Sequence, residues 1–416
     1  MMKPRYHVAV IGAGLVGSAA ALALARAGLR VALIEPRAAA APDAASPPHP
    51  NPLPQAGEGA NAMPKPDQWD TRVYAISPGS EALLEDLGAW GRLDASRVQA
   101  VHRMDVRGDA KGELLLDAYA AGVPRLASIL EGSRLQHALW QALHAQDNVE
   151  VVCPAEVSDI AWNNPRSLIT LGSGAALEAE LIVGADGAAS LTRQRAGIEA
   201  KAEPYRQSGV VANFETEKPH RGTAFQWFRP FEPGCVDIVA YLPLPGNRMS
   251  LVWSTATEHA QALLGMDEQA FCAQAEQAGG ARLGSLRLVT RPAAFPLRLM
   301  QTDSPVRAGC VLVGDAAHGV HPLAGQGVNL GFGDVAALAD VLAQRGRAGC
   351  GDLVLLERYA RRRAEPVARM QLLTDTLWRL FGRDERLFAL ARNSGMSALN
   401  KLGPAKAALV HEAFFN

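Results

Sequence analysis

Cysteine is scarce in this chain. The five cysteines in 416 residues lie far apart, and none belongs to a Cys-x-x-Cys motif. An odd and scattered set is poor material for a disulfide framework or a zinc site, so the sequence favours a reducing, cytoplasmic setting. His318 and His321 lie three residues apart, but Gly319 and Pro322 interrupt the segment, and we expect no metal site there.

The chain also lacks a net charge of either sign and long apolar runs. It has 41 Lys/Arg against 42 Asp/Glu, so no overall field argues for nucleic acid as a partner. The apolar run 8–25 resembles a signal peptide, but its glycine spacing and the return strand ending at Glu35 favour a buried strand and helix. No other run is long enough to cross a bilayer, so we expect any membrane association to be peripheral.

The near-zero total charge is unevenly distributed. Residues 358–416 carry eleven Lys/Arg and five Asp/Glu, a net charge of +6, which leaves −7 for the rest of the chain. A basic C-terminal region suits an anionic surface, either a partner protein or the inner face of a membrane. A solvated helical face explains the same charges equally well.

Residues 38–69 differ in composition from their surroundings. The stretch 46–54 alone holds five prolines, and few apolar side chains are present to offset the entropy cost of ordering the segment. We interpret 38–69 as a disordered surface insertion. A docking role for it has no support in the sequence.

The N-terminal segment has the order of a dinucleotide-binding βαβ unit. A strand-like run is followed by Gly12-Ala13-Gly14-Leu15-Val16-Gly17, an Ala/Leu-rich helix and a second strand that ends at Glu35. Gly12 would make the tight turn, Gly14 would admit a pyrophosphate, Gly17 would let the helix pack closely on the strand, and Glu35 would accept both ribose hydroxyls. Alone, this pattern fits NAD as well as FAD.

A second glycine-rich motif is the most informative feature of the sequence. The strand-like run 310–313 leads into Gly314-Asp315, and the segment 322–331 (PLAGQGVNLG) follows. Asp315 at the strand end could accept bonds from sugar-like hydroxyls, and the next helix would aim free N–H groups at a flat ring. The N1/C2=O edge of a flavin, anionic when reduced, would be stabilised there. The two motifs together indicate FAD, because an NAD dehydrogenase needs no second strand end to hold a ribityl chain.

A third element lies between these two motifs. A buried-strand pattern ends in Asp186-Gly187, where the carboxylate could organise the pyrophosphate region through water or backbone N–H groups. Arg72, in the run DTRVYAIS at 70–77, is a candidate for the phosphate or the flavin edge. Each piece alone is explained equally well as a turn aspartate or a solvated arginine. The three pieces in this order predict a flavoprotein.

The predicted architecture is α/β, a Rossmann-like FAD-binding domain interleaved with a mixed β-sheet substrate domain, plus C-terminal helices. Aromatic and β-branched runs at 204–254 are typical of a sheet that could roof a pocket. The predicted boundaries are 1–77, 131–196 and 291–357 for a discontinuous FAD-binding domain, 78–130 and 197–290 for the substrate domain, and 358–416 for the C-terminal helical region.

These motifs resemble the FAD-dependent hydroxylases of ubiquinone biosynthesis (UbiH/UbiF type), within the p-hydroxybenzoate-hydroxylase-like, class A flavoprotein monooxygenases. The resemblance rests on the run 321–331 (HPLAGQGVNLG), extends to 72–77, 135–139 and 184–187, and covers the chain except 38–69. The core GQGVN at 325–329 is its most specific part.

The resemblance implies a set of cofactor-binding residues. The ADP half of FAD would lie on Gly12, Gly14, Gly17 and Glu35, the ribityl chain on Asp315, and the pyrophosphate near Arg72 and Asp186. The isoalloxazine would be lined by 322–329, including Gly325, Gln326, Gly327, Val328 and Asn329. Val157 would offer its backbone to adenine. Relatives often carry Asn or Gln at the position of Gly132, so Gln136 or water would serve that contact here.

The resemblance also implies an activity. NADPH or NADH would reduce the flavin, and O2 would add to give a C4a-hydroperoxide. An electron-rich ring would then take up the distal oxygen, with the Pro322 carbonyl steadying the transfer. The expected substrate is a polyprenylated phenol or quinol intermediate of ubiquinone biosynthesis, and a protein complex of that pathway is a candidate partner.

The sequence leaves other functions open. A hydroxylase of the same class that acts on a small soluble aromatic is one, and a flavin-bound scaffold of a biosynthetic complex is another. A halogenase is disfavoured because the segment Trp-x-Trp-x-Ile-Pro is missing. The general base is unassigned: Tyr241, His220 and His102 are candidates by residue type alone, and a structural role is the simpler explanation for each.

Overall fold

The computed structural model describes residues 3–36, 68–232, 235–383 and 385–415. The strands in these segments are β1 Arg5–Ile11, β2 Val31–Ile34, β3 Val73–Ile76, β4 Gln99–Val101, β5 Arg103–Arg107, β6 Glu113–Asp117, β7 Ala127–Glu131, β8 Val149–Val152, β9 Val157–Ala161, β10 Ser167–Leu171, β11 Ala176–Gly184, β12 Ala200–Thr216, β13 Thr223–Glu232, β14 Cys235–Leu244, β15 Arg248–Ala256, β16 Leu286–Leu288, β17 Ala293–Thr302, β18 Val306–Arg307, β19 Cys310–Leu312 and β20 His318–Gly319. The helices are α1 Leu15–Arg26, α2 Pro78–Asp86, α3 Gly132–His144, α4 Leu191–Arg195, α5 Thr257–Leu264, α6 Glu268–Ala278, α7 Gly327–Ala343, α8 Leu353–Phe381, α9 Arg386–Lys401 and α10 Gly403–Phe415. The predicted disordered insertion lies outside the described residues except for its last two positions, 68 and 69.

The first sheet has the strand order β18-β19-β11-β1-β2-β8, with β10 and β9 attached beside β11. Its central strands run parallel. All four residues of β2 are buried, as expected for a parallel strand covered on both faces. One face packs against α1, α3 and α7, while the other is covered by the β9–β10 hairpin. This arrangement confirms the predicted Rossmann-like part of the fold.

The second sheet has the order β20-β17-β12-β15-β14-β13-β5-β6, with β16 also paired to β12. One face carries a core shared with α5 and α6, which contains Val210, Phe214, Tyr241 and Leu251. The mixed second sheet expected from the sequence is therefore present.

Strand pairing departs from the predicted boundaries in two places. Strands β17 and β20 lie within 291–357, which the sequence analysis assigned to the FAD-binding domain, yet β17 pairs with β12 in the second sheet. Strands β4 and β7, predicted in the substrate domain apart from Glu131, form a separate three-stranded sheet with β3. Sequence composition could not show which strands pair, because strand pairing depends on hydrogen bonds between segments that are far apart in sequence. The division into domains itself stays a prediction.

The C-terminal helices are tied to the rest of the chain by buried polar contacts. Arg392 of α9 pairs with Asp109 on the β5–β6 connection, and both side chains are buried. Asn393 accepts a hydrogen bond from Gly112 N at 2.9 Å. At least one of the basic residues in 358–416 therefore forms a buried ion pair within the fold. Among the described helices, none combines the length and the apolarity needed to cross a membrane.

Candidate cofactor and substrate site

The first glycine loop, between β1 and α1, contains two glycines where a side chain would clash with neighbouring atoms and one glycine with open space beside it. A Cβ on Gly12 (φ +99°) would lie 2.5 Å from Ala185 O, and a Cβ on Gly17 would overlap the Gly12 carbonyl oxygen. A Cβ on Gly14 would meet nothing within 4 Å. Gly14 immediately precedes α1, so the open space lies at the start of a helix, where backbone N–H groups can bind a phosphate.

Two buried side chains hold this loop in place. Glu35 accepts a hydrogen bond from Ala13 N at 2.8 Å. Gln136 donates from Nε2 to Ala13 O at 2.8 Å and to Ser18 Oγ at 3.0 Å. The Gln136 amide group therefore braces the glycine loop from behind. The sequence analysis expected it to serve a cofactor contact, which the structure leaves untested.

The position of Gly132 is filled by a neighbour that the sequence analysis did not single out. A Cβ on Gly132 would lie 2.8 Å from Cε2 of Tyr74, so the tyrosine ring occupies the space of the larger residue expected there. Burial raises the pKa of Tyr74, while nearby Arg72 lowers it and Asp315 raises it again. Arg72 is exposed, with its guanidinium carbon 5.4 Å from the Tyr74 ring centre. Tyr74 therefore lies within the electrostatic influence of both Arg72 and Asp315.

Asp186 is engaged in a local turn. Its carboxylate accepts hydrogen bonds from Ser190 Oγ, from Thr192 N at 2.9 Å and from Thr192 Oγ1 at 3.0 Å. The nearby Arg193 side chain donates to Ala316 O at 2.9 Å, which fastens this turn to the Asp315 turn. Asp186 therefore shapes the loop beneath Gly12, and a contact with phosphate would pass through backbone groups or water.

Val157 opens strand β9 and its side chain is buried. Two residues earlier, Ala155 N donates to Glu35 O at 2.8 Å, so this segment passes beside the carboxylate predicted to bind the ribose. The position agrees with an adenine neighbour, and the contact itself stays a prediction.

The turn that carries Asp315 contacts the first glycine loop through one side chain. Asp315 is exposed in a turn directly after β19. Val16 of α1 fits between the flanking glycines, since a Cβ on Gly314 or on Gly331 would lie 3.3 Å or 2.6 Å from its methyl carbons. The two motifs, about 300 residues apart in sequence, are therefore adjacent in space.

The start of α7 is held to β3 by buried amides. Asn329 donates to Ala75 O at 2.8 Å and accepts from Ser77 N at 3.0 Å, while its Nδ2 also reaches Gln326 Oε1 at 3.1 Å. Gly325 adopts the left-handed conformation (φ +63°) that the turn into the helix requires. Gly325 N donates to Pro322 O at 3.0 Å, so this turn already uses one lone pair of the Pro322 carbonyl.

Helices α1 and α7 pack against each other, and both begin without a side-chain cap. The first turn of each helix also carries no acidic residue. Free N–H groups and the positive end of a helix dipole favour anions. Two such helix starts, one beside open Gly14 and one beside Gly327 and Val328, fit a pyrophosphate and the electron-rich edge of a flavin. The described residues therefore fit FAD.

A buried ionic network lies behind the Asp315 turn. Asp334 of α7 is fully buried and accepts from Gly314 N at 2.9 Å, His318 Nε2 lies 2.7 Å from it, and Arg363 Nε of α8 donates to it at 2.7 Å. Burial would lower the pKa of His318, but the Asp334 charge and its hydrogen bond raise it above the ordinary value. Burial would raise the pKa of Asp334, and these cationic partners lower it instead.

Sequence reasoning missed Asp334 and Arg363. Asp334 follows the conspicuous glycine run on a helix whose contacts could not be foreseen, and Arg363 is one of three consecutive arginines. Only the packing of α8 on α7 selects Arg363 from that run. The one signal available in the sequence was an aspartate that directly follows the glycine-rich run.

His321 is buried and belongs to a cluster that joins three elements. Gln207 Oε1 of β12 accepts from Trp378 Nε1 of α8 at 2.8 Å and lies 3.4 Å from His321 Nε2. The Tyr205 ring stands edge-on to both His321 and Trp378, with ring centres 4.9 Å apart in each case. Burial lowers the pKa of His321 to about 3, so the imidazole beside Pro322 is neutral at physiological pH. The described residues contain no group of three or more His, Cys, Asp or Glu side chains that could hold a metal ion.

A family described as "FAD binding domain" matches residues 69–373, and one described as "FAD dependent oxidoreductase" matches residues 7–46. The chain is 33% identical to the 3-demethoxyubiquinol 3-hydroxylase of Escherichia coli, covering 96% of each chain. It is also 33% identical to the human mitochondrial ubiquinone biosynthesis monooxygenase COQ6, covering 96% of this chain and 91% of that protein.

The chain belongs to the FAD-dependent ubiquinone hydroxylases. Solved structures agree on the fold of the hydroxylase. The p-nitrophenol 4-monooxygenase of Pseudomonas putida superposes with a TM-score of 0.75 at 17% identity, covering 99% of this chain and 98% of that one. Klebsiella pneumoniae HpxO, solved with FAD bound, gives a TM-score of 0.70 at 16% identity, covering 98% and 99%. The family match confirms the predicted FAD-dependent monooxygenase. The roles of individual site residues stay predictions.

Of the three side chains considered as general bases in the hydroxylase, two make hydrogen bonds to backbone carbonyls and the third is exposed. The Tyr241 hydroxyl donates to Ala275 O within the core beneath α6. His220 Nε2 lies 2.8 Å and 2.9 Å from the carbonyl oxygens of Leu244 and Gly246. His102 is exposed. The general base is therefore still unassigned.

Proposed function

We propose that the chain hydroxylates the ring of a polyprenylated phenol or quinol intermediate of ubiquinone biosynthesis. The full-length similarity to hydroxylases of that pathway supports the substrate class. The observation that carries the proposal is a partly exposed patch in the middle of the second sheet, on the face away from α5 and α6, where we place a substrate cleft beside the predicted flavin loop. Paired residues Ala240 and Val252, in the middle of the sheet, are partly exposed, although their neighbours along each strand are buried.

The walls of this cleft support a hydrophobic ring as its occupant. On the same face of β14, Leu242 packs against the same hydrophobic cluster as Val73 and Ala75 of β3, while Ile238 shares a cluster with Leu323 of the flavin loop. Ala240 lies between Ile238 and Leu242 on this face of β14, and its small side chain is partly exposed. An apolar wall excludes water, which a flavin that activates O2 requires.

Within this proposal, the chain positions FAD and balances its charge. The open side of Gly14 and the start of α1 would hold the pyrophosphate, Glu35 the ribose, and Asp315 the ribityl chain. Gly325, Gln326, Gly327, Val328 and Asn329 would hold the isoalloxazine, and the uncapped start of α7 would stabilise its reduced, anionic edge. FAD would supply the oxygen-activating chemistry, with NADH or NADPH as the source of electrons. The Pro322 carbonyl, through its second lone pair, would face the ring.

Turnover with matched substrates tests the reaction. We expect a short-chain 2-prenylphenol in detergent micelles to stimulate NAD(P)H oxidation and to gain one oxygen by mass spectrometry. A strain lacking the protein should accumulate an unhydroxylated prenylated precursor. Stimulation by small phenols alone, in detergent-free buffer, would favour the soluble-aromatic alternative. Full rescue of the strain by an Asp315→Ala variant that binds no FAD would favour the scaffold.

We also propose peripheral contact of the C-terminal helices with the membrane that holds this substrate, or with a protein complex on it. Seven of the eleven large apolar side chains found exposed among the described residues lie between 353 and 402. They are Leu353, Val354, Leu372, Leu373, Phe388, Leu390 and Leu402. Exposed leucines beside arginines suit an anionic lipid interface.

Flotation with vesicles tests this contact. We expect the purified holoenzyme to float with vesicles containing phosphatidylglycerol and to float less when Leu372 and Leu390 are both replaced by serine. Replacing exposed Phe231 and Leu264, which lie outside the C-terminal helices, by serine is the matched control. Equal flotation of the two double variants would contradict the proposed location.

A further inference from the structure

Two fully buried polar side chains of the second sheet have atoms that pair with nothing among the described residues. They are Oδ1 of Asn213, on β12, and Oγ of Ser250, on β15. A buried polar atom without a partner costs about 1–3 kcal/mol, so a native fold retains one for a reason. Asn213 and Ser250 are directly opposite in the antiparallel pair β12–β15. Their Cβ atoms are therefore about 5 Å apart and project from the same face.

That face is the one that borders the proposed substrate cleft. Side chains alternate along a strand, and the flanking residues Phe214, Met249 and Leu251 belong to the core under α5 and α6. Asn213 and Ser250 consequently point to the opposite face. On β14 the register partner of Ser250 is Leu242, which packs against the hydrophobic cluster that contains Ile129 of β7.

The hydrogen-bonding roles of the two groups follow from one contact of the Asn213 side chain and from the chemistry of the Ser250 hydroxyl. Asn213 Nδ2 donates to Asp70 O at 2.7 Å, which orients the amide and leaves Oδ1 as the free acceptor. The Ser250 hydroxyl can donate and accept. The pair therefore offers one acceptor and one donor side by side. A phenolic hydroxyl, which also has one donor and an acceptor oxygen, is the complementary group.

We propose that Asn213 and Ser250 form the polar subsite that binds the hydroxyl group of the aromatic substrate. The substrate O–H donates to Asn213 Oδ1, and its oxygen accepts from Ser250 Oγ. This inference rests on the proposed function and adds to it the group that orients the ring. The Asp70 carbonyl that fixes Asn213 lies two residues before Arg72, so the segment that orients the amide continues into β3 beside the flavin loop.

The test compares two probes that differ only in the hydroxyl, 2-prenylphenol and prenylbenzene. Their Kd values are measured by calorimetry with the holoenzyme and with Ser250→Ala. We expect the variant to bind the phenol about tenfold more weakly, as the loss of one hydrogen bond predicts, and to bind prenylbenzene as the wild type does. The Tm should not fall, because the removed hydroxyl has no hydrogen-bond partner in the part of the chain that the structure describes.

A buried serine that faces the other way provides the control. Ser208 of β12 lies 3.5 Å from Thr257 Oγ1 at the start of α5, and Ser208→Ala should leave the phenol-to-prenylbenzene ratio unchanged. A ratio unchanged in Ser250→Ala, or an equal loss for both probes, would overturn the subsite. Failure of the wild type to bind either probe would overturn the proposed substrate class, and the subsite with it.

Discussion

Replacing Asp334 by alanine is expected to lower the free energy of unfolding by about 3–5 kcal/mol, because it leaves the buried charge of His318 and the partly buried charge of Arg363 without their counter-ion. The variant should also retain less FAD, since Gly314 N loses its acceptor next to Asp315. Chemical denaturation followed by fluorescence measures the first effect, and the flavin-to-protein absorbance ratio measures the second.

The chain offers a matched control for this variant. Asp340 of α7 also pairs with an arginine of α8, Arg362, but these side chains are 53% and 45% exposed. Asp340→Ala should cost no more than about 1 kcal/mol, because water screens an exposed ion pair. Equal losses for Asp334→Ala and Asp340→Ala would show that burial of the network contributes nothing.

The same network predicts a pH dependence. The pKa of His318 is raised above its ordinary 6.5, so its stabilisation is complete below that pH and is lost as the pH rises through the raised value. The pKa of Asp334 is lowered from 3.8, so its contribution is lost only as the pH falls through that lowered value. The Tm difference between wild type and His318→Gln should therefore be largest between pH 3.8 and 6.5 and shrink in alkaline buffer. The other charged groups that influence this imidazole are Arg363, which lowers its pKa, and Asp315, which raises it.

Alanine substitutions at two glycines of the first loop are expected to have opposite effects on the stability of the fold. The methyl group of Gly17→Ala would overlap the Gly12 carbonyl and lie 3.0 Å from Ala185 Cβ. The Gly12 carbonyl is part of the backbone and cannot rotate away as a flexible side chain could. Overpacking of this kind costs at least 1–3 kcal/mol, so we expect poorly folded, colourless protein. Gly14→Ala meets nothing within 4 Å, and φ of −67° suits alanine.

Gly14→Ala should therefore leave the Tm of the apoprotein unchanged or raise it slightly, since alanine lowers the entropy of the unfolded chain. If a pyrophosphate lies on Gly14, FAD affinity should fall at least tenfold, or about 1.4 kcal/mol. Thermal unfolding of the apoprotein and titration with FAD separate the two effects. A Gly14→Ala variant with wild-type FAD affinity would refute the assignment of this position to the cofactor.

Local sequence patterns predicted the elements of the site better than its contacts. The strand–glycine–helix order around Gly14 and the turn at Asp315 both appear where the sequence placed them, because turn conformation and burial are encoded within a few residues. Gln136 was predicted to serve the cofactor, which stays a prediction, and the sequence did not show that its amide also donates to the backbone of the glycine loop. Tyr74, which fills the space at Gly132, was not singled out because nothing in its local sequence reveals a partner almost sixty residues away.

The sequence by itself determined the family, the α/β class and the two glycine motifs, since these depend on backbone conformations that only certain residues allow at short spacing. The tertiary structure alone decided that β17 joins the second sheet, that Arg363 rather than its neighbours reaches Asp334, and that Asn213 faces Ser250. Each of these contacts joins residues 29 to more than 80 positions apart. Such contacts form because burial of apolar surface brings whole elements together, and the identity of each polar partner follows from that packing.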